Sequence, residues 1–155
     1  MAKSSYASYI FVLMLSIGLP SCKHDKKLYK SDCDIEKKFK RITLVNLMDS
    51  LAYYDNQCVE VSGKYKQDKG LSALFNDGIY ISRKKNKPLW VEFSPDCPLY
   101  LAGTRIGFFD YDYNGGKLTP ANDQTIVIHG VINAHYKGDS GNFKGSIGRI
   151  SYIQL

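Results

Sequence analysis

Val59-Glu60-Val61-Ser62-Gly63 and Ile126-Val127-Ile128-His129-Gly130 carry one pattern twice: inward, outward, inward, outward, then glycine. Alternation with period two marks a half-buried strand. A glycine placed there lets the strand bend sharply, as small closed barrels require, because a β-branched residue would crowd the bend and resist positive φ. The chain between and after these strands reads as short strands and turns. Leu74-Phe75 leads into the turn Asn76-Asp77-Gly78, Ile79 to Ser82 into the turn Arg83 to Pro88, and Leu89 to Phe93 into a long loop. Thr125 to Asn133, a Gly-rich loop, and Ser146 to Leu155 complete the set. Five coiled strands within about 100 residues favour a small barrel over a flat sandwich.

One helix precedes the barrel. Thr43 is a suitable N-cap, and Leu44, Leu47, Met48 and Leu51 then recur at i, i+3, i+4 and i+7, with Tyr54 continuing the stripe. The pattern predicts about three amphipathic turns, ended by Asp55-Asn56.

The N-terminus carries a second signal. Lys3 supplies a positive n-region, Ile10 to Leu19 a short apolar run, and Leu19-Pro20-Ser21-Cys22 a small residue before a cysteine. The run is well under the ~20 residues that span a bilayer as a helix, so it reads as an export signal rather than an anchor. The segment resembles the lipobox of bacterial lipoproteins, with Pro20 departing from the small residue common there. In that family the cysteine thiol receives a diacylglyceryl group, the peptide is cut before it, and the new N-terminus is acylated, palmitate being a usual chain. The resemblance implies a signal peptide over 1–21, Cys22 as the lipidated first residue, and membrane attachment through several acyl chains. Lys23 in place of Asp implies the outer membrane of the cell envelope.

Removing the signal leaves about 130 residues, one domain's worth. Formal net charge is +6 over 155 residues. Lysines and Arg41 crowd residues 23–41, diluted by Asp25, Asp32, Asp34 and Glu36. Such a mixed-charge tract reads as a solvated tether over 22–41. Beside a lipid anchor it would lie against anionic headgroups, so its charge is poor evidence for nucleic acid.

Cys33, Cys58 and Cys97 remain, and export predicts one disulfide and one free thiol. In a small barrel Cys58 starts the first strand and Cys97 follows the third, which places them toward opposite ends. Cys33 is therefore expected in the bridge, with either Cys58 or Cys97.

From about Ile42 the chain resembles a group of uncharacterised bacterial OB-fold-like proteins, often lipoproteins. The resemblance rests on Tyr54 to Gly63, Leu74-Phe75, Leu89-Trp90-Val91, Ile126 to Gly130, and Lys137 to Ile150. It implies a mainly β fold, a five-stranded OB-like barrel over 42–155 preceded by one amphipathic helix. Asn56-Gln57 stands where the group commonly has Gly-Lys, and Thr104 to Pro120 looks like an insertion. No catalytic residue or cofactor comes with the likeness.

The motifs that could carry chemistry are thin. Asp110, Asp112 and Asn114 with Gly115 match the opening of a calcium loop, but Ala121 stands where the closing Glu belongs. An ordinary hairpin tip has the same composition. His135, Asp139 and Ser140 fall within one Gly-rich loop rather than on separate rigid elements, which argues against a triad. His129 points away from the core by the alternation, and His24 lies in the tether. Phosphate-cradle and dinucleotide glycine patterns are missing.

An OB barrel binds through its second and third strands and the loops joining strands one to two and four to five. That maps to Tyr65, Lys66 and Lys69, to Tyr80 and Trp90, and to His135, Tyr136, Lys137, Phe143 and Lys144. Aromatics among lysines suit stacking on sugars and pairing with anionic groups. The same aromatics could instead finish a small core, since small barrels bury many of them. The reading is a membrane-anchored, non-catalytic envelope lipoprotein whose OB-like domain serves binding or assembly, with an oligosaccharide or an envelope protein as partner. The alternative is a toxin-immunity or enzyme-inhibitor lipoprotein acting through the loop around 104–120, where Phe108-Phe109-Asp110-Tyr111-Asp112-Tyr113 would face the partner.

Overall fold

The computed structural model describes residues 26–33, 37–76, 87–111 and 117–155. The signal segment, Cys22, Tyr80, Asp112 and Asn114 lie outside them. The described chain runs β1 (Leu28–Lys30), β2 (Lys40–Thr43), α1 (Leu44–Asp49), a 3-10 turn (Leu51–Tyr54), β3 (Cys58–Asp68) and β4 (Leu71–Phe75). It continues through β5 (Leu89–Val91), β6 (Tyr100–Leu101), β7 (Asp110–Tyr111), β8 (Lys117–Leu118), β9 (Thr125–Asn133) and β10 (Ser146–Gln154).

Five of these strands close a barrel in the order β3-β4-β5-β10-β9 and back to β3. The β5–β10 junction is parallel and the other junctions are antiparallel. This is the OB-like barrel the alternating strands predict. Its interior is filled by Val59, Val61, Tyr65, Leu74, Leu89, Val91, Ile126, Ile128, Ile132, Ile147, Ile150 and Ile153, all buried. Leu44, Leu47 and Leu51 add the apolar stripe of the helical segment to the same core. The Thr43 hydroxyl accepts the Asn46 N–H at 3.3 Å, so the N-cap forms as read. The segment is shorter than three α-turns: it breaks at Ser50, and the stripe is completed by the 3-10 turn.

The two glycines are needed for close approach rather than for positive φ. Neither Gly63 nor Gly130 has positive φ. On β9, Val131 and His129 face Gly148 and Tyr152, so the single residue Gly130 opposes the bulge of Arg149, Ile150 and Ser151 on β10. A Cβ there would lie 2.7 Å from the Gly148 carbonyl oxygen. At that bulge β10 exchanges its other neighbour, pairing with β5 before it and β1 after it. β3 runs through Gly63 without ending there and continues to Asp68, and a Cβ at Gly63 would lie 2.9 Å from Leu44 Cδ2.

The expected tether over 22–41 is corrected. β1 pairs with β10 and β6 in this stretch, and β2 runs parallel to β3. Tyr29 is 4% exposed and meets Phe108 edge to face at 5.1 Å, so the folded domain begins at β1 rather than at residue 42. Burial of that ring against distant residues outweighs the charged neighbourhood. A Cys33–Cys97 disulfide, with Cα atoms 5.5 Å apart, fastens the segment after β1 to the loop after β5. Cys58 is left as a half-buried thiol.

Candidate binding surfaces

The face expected to bind is largely closed. Tyr65 is fully buried in the barrel, its hydroxyl 3.1 Å from Ser72 Oγ, and burial raises its phenol to about 12. It belongs to β3, not to a loop, because β3 runs past Gly63. Lys66 is half-buried on the same strand, 3.9 Å from Asp123, and only Lys69 reaches the turn into β4. Trp90 and Phe143 pack together at 4.8 Å with Ala73 to form a second small core outside the barrel. Leu71, Phe75 and Tyr136 close around it. The loop between β9 and β10 thus folds back on the β4–β5 face and covers the aromatics that stacking on a ligand would need. The two large aromatics complete a core, for the reason that an indole and a phenyl ring gain most when they exclude water from one another.

What stays open on that loop is polar. His135, Lys137 and Lys144 are exposed. The Tyr136 hydroxyl donates to Asp139 at 2.6 Å, and this bond, with burial adding to it, raises the phenol to about 12. His135 Nε2 lies 3.6 Å from Asp55, so His135 and Asp139 have separate partners and form no relay with Ser140. Candidate ligand Asp110 opens β7, which pairs with β8 as a separate two-stranded sheet. Among the described residues no three His, Cys, Asp or Glu side chains are grouped to hold a metal. Phe108 is 1% exposed and sits in the core against Tyr29 and Phe93, while Phe109 packs on Phe93 and Phe108. The inserted loop therefore turns these two rings inward rather than toward a partner.

A different surface is built on the outer face of the sheet. The register places Arg41, Glu60, His129 and Tyr152 directly opposite one another across β2, β3, β9 and β10. Glu60 accepts from the Arg41 guanidinium and lies 2.8 Å from His129 Nε2. Partial burial raises the Glu60 carboxyl, but hydrogen bonds from Arg41 and His129, with their charges, outweigh it and hold the group below its ordinary value. The His129 ring is stacked between Phe39 at 4.6 Å and Tyr152 at 4.3 Å. The alternation correctly turned His129 outward, but its partners become visible only once strand order and register are known.

Beside this row an open groove of 840 Å³ runs between the start of α1 and the outer sheet face. Among the described residues Lys26, Lys40 and Arg41 line it with Glu60 as the sole acidic group, and Ser62, Asn76 and Gln154 supply neutral polar atoms. Lys40 Nζ sits 5.1 Å from the Tyr54 ring centroid and 5.6 Å from that of Tyr53. No protein-family model matches this chain, and neither a curated protein nor a solved structure matches it. What the geometry establishes is a closed five-stranded OB-like barrel with its usual face covered and a cation-lined groove open on another.

Proposed function

We propose that the chain is a lipid-anchored protein of the bacterial cell envelope, most consistent with the outer membrane, whose OB-like barrel is a non-catalytic binding or assembly domain. The observation that carries this reading is the lipobox-like Leu19-Pro20-Ser21-Cys22 ending only six residues before the first core strand at Leu28. An acylated Cys22 would anchor a folded domain through a short link, with the two held together by β1 and the Cys33–Cys97 bridge. The OB-like barrel supports a binding role over a catalytic one, since such barrels present surfaces and loops to partners. Metabolic labelling with a fatty-acid probe tests the anchor. The wild type incorporates the probe and Cys22→Ala does not; equal labelling of the two would overturn the reading.

A further inference from the structure

We infer that the cation-lined groove and its rim form a contact surface for anionic phospholipid, seating the barrel against the bilayer that carries its anchor. The orientation rests on the lipid-anchor reading, but the binding surface itself does not. Three residues lie between Cys22 and Lys26, a reach of at most about 14 Å over four residue steps. Lys26 lines the groove, so an anchored chain enters the folded domain beside this surface.

The chemistry of the surface fits a headgroup layer. Among the described residues Lys26, Lys40 and Arg41 give the groove an excess of positive charge, and Glu60, the one carboxylate among them, is already engaged by Arg41 and His129. Val45 on the groove wall is 46% exposed, and Tyr53, beside Lys40, is 67% exposed. Basic side chains with an aliphatic and a phenolic residue between them are what an interfacial contact uses: charge attracts phosphodiesters, and small apolar groups enter the headgroup boundary. Two other exposed lysines, Lys69 on the β3–β4 turn and Lys137 on the β9–β10 loop, lie outside this groove.

The test uses the mature chain from residue 22 with Cys22→Ser, so that no acyl chain contributes. Sedimentation with vesicles of phosphatidylcholine, alone or mixed with phosphatidylglycerol, should show partition into the mixed vesicles and little into the neutral ones. Lys26→Glu/Lys40→Glu should weaken that partition at least tenfold, because each lysine near an anionic surface contributes roughly fivefold. The neutral pair Lys26→Gln/Lys40→Gln should weaken it less, in the same direction. Lys69→Glu/Lys137→Glu changes net charge equally and should leave partition within about twofold. Equal binding to both vesicle types, an unaffected Lys26/Lys40 variant, or an equal loss in the Lys69/Lys137 variant would each overturn the inference. So would full displacement by millimolar glycerol phosphate, which would make the groove a site for a soluble phosphate. Because the protein is unacylated, these outcomes are independent of whether Cys22 is labelled in cells.

Discussion

Replacing Gly130 by alanine adds one methyl group at the place where β9 faces the β10 bulge. The new Cβ would lie 2.7 Å from the Gly148 carbonyl oxygen, 2.7 Å from Ile147 Cγ1 and 2.9 Å from Ile150 Cδ1, where ordinary contacts begin at 3.4 Å. The nearest obstacle is backbone, and Gly148 is held by its pairing with Val131. Neither partner can swing aside without opening the barrel. Overpacking of this kind costs about 3 kcal/mol at the upper end of its range. Alanine returns up to ~1 kcal/mol by restricting the unfolded chain, since the φ of Gly130 is not positive. The net loss is about 2 kcal/mol, which for a domain of this size lowers Tm by roughly 6–10 °C. Gly63→Ala is the internal comparison. There the closest atom is the end of the Leu44 side chain at 2.9 Å, which can rotate, with Phe75 O at 3.1 Å. Its melt should therefore fall between those of the wild type and Gly130→Ala. Thermal melts followed by circular dichroism decide the matter: a Gly130→Ala protein melting within about 2 °C of wild type, or a larger loss for Gly63→Ala, would refute the argument from close approach.

Three more outcomes follow from the same geometry. Opening the Cys33–Cys97 bridge, by reductant or by Cys33→Ser, releases a 64-residue separation and should cost up to about 4 kcal/mol, read as a lower denaturation midpoint; an unchanged midpoint would show that the link after β1 is not under that constraint. Phe143→Ala should destabilise by about 3 kcal/mol and shift the emission of the chain's single tryptophan, Trp90, to the red, because the phenyl ring that covers it is gone. Glu60 has a folded pKa below its ordinary 4.5, so its contribution is present above that value and is lost as pH falls through the folded pKa. Glu60→Gln should accordingly lower Tm at neutral pH, with the gap to wild type narrowing below pH 4.5; a gap that widens in acid would contradict the Arg41–Glu60–His129 bridge.

The barrel was legible because β3 and β9 are long, alternate cleanly and each carry a glycine at the matching point of the pattern. The first strand was not. Leu28-Tyr29-Lys30 is three residues long, too short for a period to register, and what makes it a strand is Tyr29 packing on Phe108, far away in sequence. The charged neighbours then made the whole stretch read as tether. The disulfide followed from barrel geometry as far as Cys33, and choosing Cys97 needed the position of β1. The binding residues were read least well. Composition cannot distinguish an aromatic that stacks on a ligand from one that covers another aromatic, and Trp90 with Phe143 is the second kind. The row of Arg41, Glu60, His129 and Tyr152 depends on register across four strands, which no local pattern encodes.

Under the proposed function the mature protein starts at a lipidated Cys22. Intact mass of the protein extracted from membranes tests it directly. The account predicts a polypeptide lacking residues 1–21 and carrying the added mass of a diacylglyceryl group and an N-terminal acyl chain on Cys22. A chain that retains the first 21 residues, or that begins at another residue without lipid, would contradict it.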